Sequence, residues 1–248
     1  MPPTHDQPLV SAIIPVYNCQ SYLAEAIDSA LAQTYRSLEI IIVDDGSTDD
    51  SAKVAARYAS AVSYCHQPHA GISAARNRGI GLAQGSFLSF LDSDDLWLED
   101  KTALQIAAFD QDPSLDMVLG QAMQFRDTGE AAAKAPNGLG DAMPGHVPGA
   151  IVIRRTSFFR VGLFSTEWRV GEWADWYLRA TECGLKSVTL PQVVLKRRLH
   201  ENNIGIRKQD LQVQYVRVLK ASLDRRRKKG QLGPAKTVPD SELGPDHE

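Results

Sequence analysis

Several clusters in the chain carry side chains whose types and spacing suit chemistry. Phe90-Leu91-Asp92-Ser93-Asp94-Asp95 sets three carboxylates into four positions at the end of an apolar run. If that run is extended throughout, Asp92 and Asp94 share one side and Asp95 takes the other. Carboxylates held together repel each other unless a cation or hydrogen-bond donors satisfy them. Hard oxygen ligands of this kind suit Mg²⁺ or Mn²⁺ bound together with a phosphate; the plainer reading is a cap and turn. Val43-Asp44-Asp45-Gly46-Ser47-Thr48-Asp49 closes a second apolar run. A carboxylate there can accept a hydrogen bond from a base N–H or a ribose hydroxyl, while Asp49 or Thr48 suits the cap of the next helix. In Gly71-Ile72-Ser73-Ala74-Ala75-Arg76-Asn77 the glycine lets the chain turn into a helix opened by Ser73. Arg76 falls in the first turn, where a phosphate would meet both the guanidinium and the helix N-terminus. Taken alone, such an arginine is expected in solvent.

Three further clusters lie late in the chain. In Val170-Gly171-Glu172-Trp173-Ala174-Asp175-Trp176 the two acids are three apart, so a helix presents them as neighbours. Either would serve as a general base for a hydroxyl nucleophile, and the indoles beside them could stack on a sugar face. The bland alternative is helix-start acids complementing the macrodipole, with a tryptophan in the core. Arg197-Arg198-Leu199-His200 precedes Asn202 and Asn203. On a strand Arg198 and His200 share a face, where an imidazole completes a metal site and an arginine meets a diphosphate. A lone strand histidine is more often structural. Arg225-Arg226-Arg227-Lys228-Lys229 reads first as a solvated helix end favourable to the dipole. Its rival is weak attraction to an anionic membrane surface.

The elements that must position these residues follow from hydrophobic period. Residues 10–16, 38–43, 62–65 and 87–91 read as strands, and 38–43 is a near-continuous β-branched run suited to burial on both faces. Residues 21–33, from about 51 onward, and 73–83 read as helices, the first with Ser21 as a candidate cap. This alternation predicts an α/β fold with a parallel sheet, helices on both sides and all strand C-termini along one edge. Ligands of such sheets bind at that edge. Farther on, 101–109 and 172–183 read as helices and 117–125, 151–154 and 193–199 as strands. Residues 127–148 look like a long Gly/Pro/Ala-rich loop, and Leu211, Tyr215, Val218, Leu219 and Leu223 mark a last amphipathic helix. Residues 231–248 read as a disordered tail.

Composition removes several classes. The 248 residues carry 27 Lys+Arg and 30 Asp+Glu, a net charge of −3, so no global field draws the chain to nucleic acid. Cys19, Cys65 and Cys183 are scattered and form no metal or disulfide pattern. The N-terminus lacks the basic and apolar regions of a secretory signal, and no apolar run approaches the roughly 20 residues of a spanning helix. A cytoplasmic protein is expected.

Taken together and in this order, the clusters resemble the family 2 glycosyltransferases with a GT-A fold over about residues 8–205. The matching pieces are Ile14-Pro15-Val16-Tyr17-Asn18, the turn from Val43 to Asp49, the segment from Gly71 to Asn77, Phe90 to Trp97, and Arg198-Leu199-His200. The resemblance implies one domain over 1–230, with a nucleotide-sugar half (8–100), an acceptor-side half (101–205) and a C-terminal helix (206–230). It implies that the chain around Pro15, Val16, Tyr17 and Asn18, with Asp45, holds the nucleotide base. Arg76 would lie near the base or diphosphate, and Asp92 and Ser93 near the ribose and the metal shell. Asp94 would ligate Mn²⁺ or Mg²⁺, with His200 a further metal or diphosphate contact; Arg198, on the same strand face, stays a candidate diphosphate contact. Family members carry adjacent Glu-Asp where this chain reads Glu172-Trp173, so Glu172 is the first choice for catalytic base and Asp175 the second. The Gln-x-x-Arg-Trp motif of processive synthases is absent from the sequence, which favours a single addition.

The activity so implied is inverting, metal-dependent transfer of a sugar from a nucleoside diphosphate, UDP by preference, to an acceptor hydroxyl. The acceptor could be a glycan, a lipid-linked species, a peptide or a small molecule. Two rivals stand beside it: a catalytically silent nucleotide-sugar-binding or scaffold protein of the same fold, and a nucleotidyltransferase. The sequence shows no Gly-rich phosphate loop near the first strand to favour the latter.

Overall fold

A computed structural model describes residues 7–126, 142–200, 208–228 and 230. The first half alternates as read from the sequence: β1 (Val10–Val16), α1 (Leu23–Leu31), β2 (Leu38–Asp44), α2 (Ser51–Ala56), β3 (Ser63–His66), α3 (Ile72–Leu82) and β4 (Phe87–Phe90). These four strands are parallel neighbours in the order β3-β2-β1-β4. The register pairs Val10 with Leu38 and Val16 with Asp44, so β1 and β2 finish level with each other.

Strand alternation divides the core in two. Ala12, Ile14, Ile40 and Ile42 face Leu23, Ala26 and Ile27 of α1 and Val54 of α2. Ile13, Ile41 and Val43 face the other way, toward Ala75 and Ile80 of α3. Helix α3 lies close enough to β1 that a Cβ on Gly79 would stand 2.4 Å from Ile13 Cγ2, so any larger residue forces a shift there.

The second half adds β5 (Leu96–Trp97), α4 (Lys101–Gln111), β6 (Met117–Arg126), β7 (Met143–Pro144), a 3-10 turn (Pro148–Ala150), β8 (Ile151–Arg154), α5 (Arg155–Val161), α6 (Glu172–Glu182), β9 (Ser187–Leu199) and α7 (Lys208–Lys228). The sheet continues as β4-β8-β6-β9-β5, with β7 on the side of β6. Strand β8 is antiparallel to both neighbours, while β6 and β9 are parallel to each other. Helices α5 and α6 cover the α3 face through Phe158, Trp173 and Trp176. Both indoles are therefore core residues, stacked on each other at 5.5 Å, and neither is available to a sugar face.

The structure departs from the sequence reading at several points. Ser21 does not cap α1; the N-cap is Tyr22, and the N–H groups of Tyr22 and Leu23 donate to Cys19 O. Strand β9 starts six residues before the expected 193 and passes through Pro191, with its ladder to β6 broken by a bulge where proline withholds an N–H. Short β5 and α5 give too few residues for a period to register. The segment after β4 is a turn, not an extended strand: Asp95 N donates to Asp92 O at 3.0 Å. The alternation expected of Asp92, Asp94 and Asp95 therefore does not apply. Most of the 127–148 loop, Asn202, Asn203 and the 231–248 tail lie outside the described residues.

Candidate active site

Parallel neighbours deliver the ends of β1, β2 and β4 to one edge, and the loops leaving them are tied together by side chains. Asn18, just past β1, has φ 49°, a left-handed conformation that asparagine tolerates better than most residues. Its Oδ1 accepts from Thr48 N at 2.8 Å, and its own N–H donates to Ser47 Oγ at 3.0 Å. Asn18 thus joins the loop after β1 to the loop after β2. Pro15 and Val16 are buried within β1, where Val16 O accepts from Asp45 N. Tyr17 is half exposed and its ring stacks on His69 at 4.1 Å. Asp49 works one residue off the expected cap, accepting from Ser51 N at 2.9 Å.

The Asp pair after β2 is engaged by the protein itself. Asp44, fully buried, accepts from Ser47 N and from the Tyr64 hydroxyl, both at 2.7 Å. Asp45 accepts from Gln67 Nε2, Ala70 N and Gly71 N at 2.7, 2.9 and 2.8 Å, and its Oδ2 lies 2.8 Å from His69 Nδ1. Asp45 was expected to hold a nucleotide base; its carboxylate here folds the 67–71 loop over the strand end. A Cβ on Gly46 would meet His69 N at 2.7 Å, so glycine permits that close approach.

Arg76 is the hub. Arg76, expected near the nucleotide base or diphosphate, is 1% exposed and not solvated as a lone helical arginine would be. Its Nη2 donates to Asp92 Oδ1 and its Nη1 to Glu172 Oε1, each at 2.7 Å. Burial works against the charge, but the two carboxylates outweigh it and hold the guanidinium's pKa above its ordinary value. One cation from α3 therefore bridges the acidic turn after β4 and the first residue of α6. Among the described residues, Arg76 Nε and Ser73 Oγ, one helical turn apart, are buried without a hydrogen-bond partner. That pair of unmet polar atoms suits a bound water or a ligand oxygen.

The acidic turn is crowded. Burial and the neighbouring Asp92 charge raise the pKa of Asp94, with the hydrogen bond from His200 opposing. Asp95 is driven well above its ordinary range by burial and by both acidic neighbours, against a hydrogen bond from Arg198 N. His200 Nε2 stands 2.9 Å from Asp94 Oδ2, and its ring lies 4.9 Å from that of Tyr22. Ser93 offers its carbonyl to Cys19 Sγ at 3.4 Å. Burial pushes the Cys19 thiol up to about 11, which disfavours the reactive thiolate.

Two further expected site residues are engaged by the protein itself. Arg198, expected at a diphosphate, is 1% exposed. Its Nε donates to Asp94 O at 3.0 Å and its Nη2 to Glu25 Oε2 at 2.7 Å, between the rings of Tyr22 and Phe125. It pins the acidic turn from beneath. Asp175 is 2% exposed and pairs with Arg179 at 2.8 Å and Arg225 at 3.1 Å, joining α6 to α7. A base role for Asp175 therefore has no geometric support. Sequence reading also passed over Glu25, Tyr22 and His69, which give no signal of their own: each matters only through a partner distant in the chain.

The site that emerges is an acidic turn at a parallel-sheet edge, faced by a carboxylate on a separate helix. Residues 11–167 match the sequence profile of glycosyl transferase family 2. The chain belongs to that family. An uncharacterized glycosyltransferase of Rickettsia typhi is 43% identical over 112 residues, covering 45% of this chain and 35% of the relative. The uncharacterized glycosyltransferase YibD of Escherichia coli is 35% identical over 175 residues, covering 68% of this chain and 48% of the relative. The match thus spans less than half the length of these curated relatives. The crystal structure of TarS residues 1–349 from S. aureus in complex with UDP-GlcNAc superposes with TM-score 0.65 at 21% identity, covering 79% of this chain and 60% of that one. The fold is GT-A: mixed α/β, with a mostly parallel sheet flanked by helices. Among the described residues no helix is long and apolar enough to cross a membrane.

Proposed function

We propose that the chain transfers a sugar from a nucleoside-diphosphate donor, UDP-linked, to an acceptor hydroxyl, with inversion at the anomeric carbon. The observation that carries this reading is the Arg76 bridge, which draws Asp92 and Glu172, 80 positions apart in the chain, to one guanidinium. Relatives bearing the glycosyltransferase name and a fold neighbour solved with UDP-GlcNAc support the donor class.

A divalent cation, Mn²⁺ or Mg²⁺, suits the acidic turn. Among the described residues no group of three or more His, Cys, Asp or Glu forms a ready cage. Such ions with phosphates commonly take only one or two protein carboxylates. Asp94 would hold the ion, with Asp92 and His200 beside it; the crowding of Asp92, Asp94 and Asp95 is relieved by positive charge. When bound, the ion would neutralise charge developing on the diphosphate leaving group. Glu172 takes the proton from the acceptor hydroxyl through Oε2, while Oε1 stays on Arg76. Arg76 orients that carboxylate.

Binding of UDP to the native chain should strengthen with Mn²⁺, and Asp94→Ala should lose that dependence. Equal binding by both proteins in EDTA and in Mn²⁺ would remove the metal role. In Glu172→Gln, single-turnover transfer should collapse with donor affinity kept. A second reading, donor binding without transfer, is favoured by the hydrogen bond that already occupies Glu172 Oε1. Release of UDP from a UDP-sugar in an acceptor screen separates the two.

A further inference from the structure

Among the described residues, helix α7 is packed on one side only. Val218 and Ser222 are buried, Ser222 Oγ donates to Glu182 Oε1 at 2.6 Å, and Arg225 pairs with Asp175 and Glu182. These residues fall on one stripe and face α6. On another stripe Val213, Val216, Leu219 and Leu223 recur at helical spacing and are exposed, Val216 by 64% and Leu219 by 54%. Four aliphatic side chains left in water along three turns mark a contact surface rather than scattered surface apolarity.

The charges on the helix say what covers it. Over residues 213–228 the exposed ionisable residues are Arg217, Lys220, Arg226, Arg227 and Lys228, against Asp224 alone. Arg225 is engaged by the protein, but its two successors are exposed, and Lys220 and Arg227 flank the apolar stripe at helical spacing. An apolar stripe edged by cations is the pattern of a helix lying in a membrane interface, aliphatic side chains among the acyl chains and cations at the headgroups. The chain as a whole carries −3, so this attraction is local to α7. We infer that α7 docks the protein on an anionic lipid bilayer, with the Val213–Val216–Leu219–Leu223 stripe inserted and Lys220, Arg226 and Arg227 on the headgroups.

The placement has a consequence for the site. A Cβ on Gly171 would lie 3.4 Å from Val218 Cγ2 and 3.7 Å from the Tyr215 ring, so α7 abuts the residue before Glu172. A bilayer under α7 therefore lies on the Glu172 side of the proposed site.

The test is co-sedimentation of the full chain with vesicles of phosphatidylcholine alone or with phosphatidylglycerol added; no donor or metal is needed, so the result is independent of the transfer activity. The native chain should bind the anionic vesicles, release with added salt, and ignore the neutral ones. Arg226→Ser with Arg227→Ser should weaken binding roughly thirtyfold. Val216→Asp with Leu219→Asp should abolish it, and the melting temperature of each variant should stay within about 2 °C of native because the sites are exposed. Absence of anionic vesicle binding at low salt, or binding untouched by either pair, would overturn the inference. A native dimer that Leu219→Asp converts to a monomer, without vesicle binding, would assign the stripe to a second copy instead.

Discussion

Replacing Arg76 by methionine tests the bridge on which the proposed site depends. The substitution keeps the aliphatic stem in its buried slot and deletes two charge-assisted hydrogen bonds of 2.7 Å. Breaking one side of a fully buried ion pair costs about 3–5 kcal/mol, because the partner is left charged and desolvated. Here the partners recover some water: the Asp92 side chain is 33% exposed and that of Glu172 12%. The loss should therefore fall to about 2–4 kcal/mol. At about 2–4 °C per kcal/mol for a chain of this size, the melting temperature should drop by about 5–15 °C. Arg76→Lys should recover only part, since one ammonium cannot repeat the fork between two carboxylates. The cycle with Glu172→Gln isolates the pair. A neutral glutamine needs no counter-charge, so the two substitutions should couple by about 1–3 kcal/mol. Thermal denaturation of the four proteins is the assay. An Arg76→Met protein melting within about 2 °C of native, with additive effects in the cycle, would show that Arg76 does not hold the two carboxylates as described.

Three further outcomes are expected. Asp175→Asn should destabilise by about 1–2 kcal/mol, since Arg179 retains carbonyl acceptors and Arg225 retains Glu182, yet leave single-turnover transfer within about twofold; a collapsed rate in a folded variant would return the base role to Asp175. Gly79→Ala should lower stability by about 1–3 kcal/mol in a denaturant titration, because the new methyl meets Ile13; an unchanged midpoint would mean that α3 moves freely on β1. Lys101 is wholly buried and burial holds its pKa well below 10.5, with Nζ among Ser89 Oγ, Gln105 Oε1 and Ile151 O. Between the lowered native value and 10.5 the unfolded chain binds the proton and the native chain does not, so native stability rises with pH there by up to about 1.4 kcal/mol per unit. Lys101→Met should lack that slope, and parallel stability curves for the two proteins from neutral pH to pH 10 would show that Lys101 stays charged when buried.

Much of this architecture is local in origin and so was legible in order along the chain. Apolar β-branched runs such as 38–43 suit strands buried on both faces, and their alternation with helical stripes leaves a parallel sheet as the economical way to pair them. That reasoning alone brings Asn18, Asp45 and Asp92 to one edge, and the motif set at those positions points to the family. Short elements such as β5 and α5 carry too little period to be read, and Pro191 hides the early part of β9. What tertiary packing decided is the partner of each charge. Arg76, Arg198 and Asp175 look interchangeable with surface ions in one dimension, yet each is buried by an element distant in sequence and must be neutralised there. Burial makes an ion's partner obligatory, and only the fold determines which distant carboxylate or guanidinium lies within reach. For that reason residue types could nominate the candidate site, while which of its charges are engaged by the protein itself came from three dimensions.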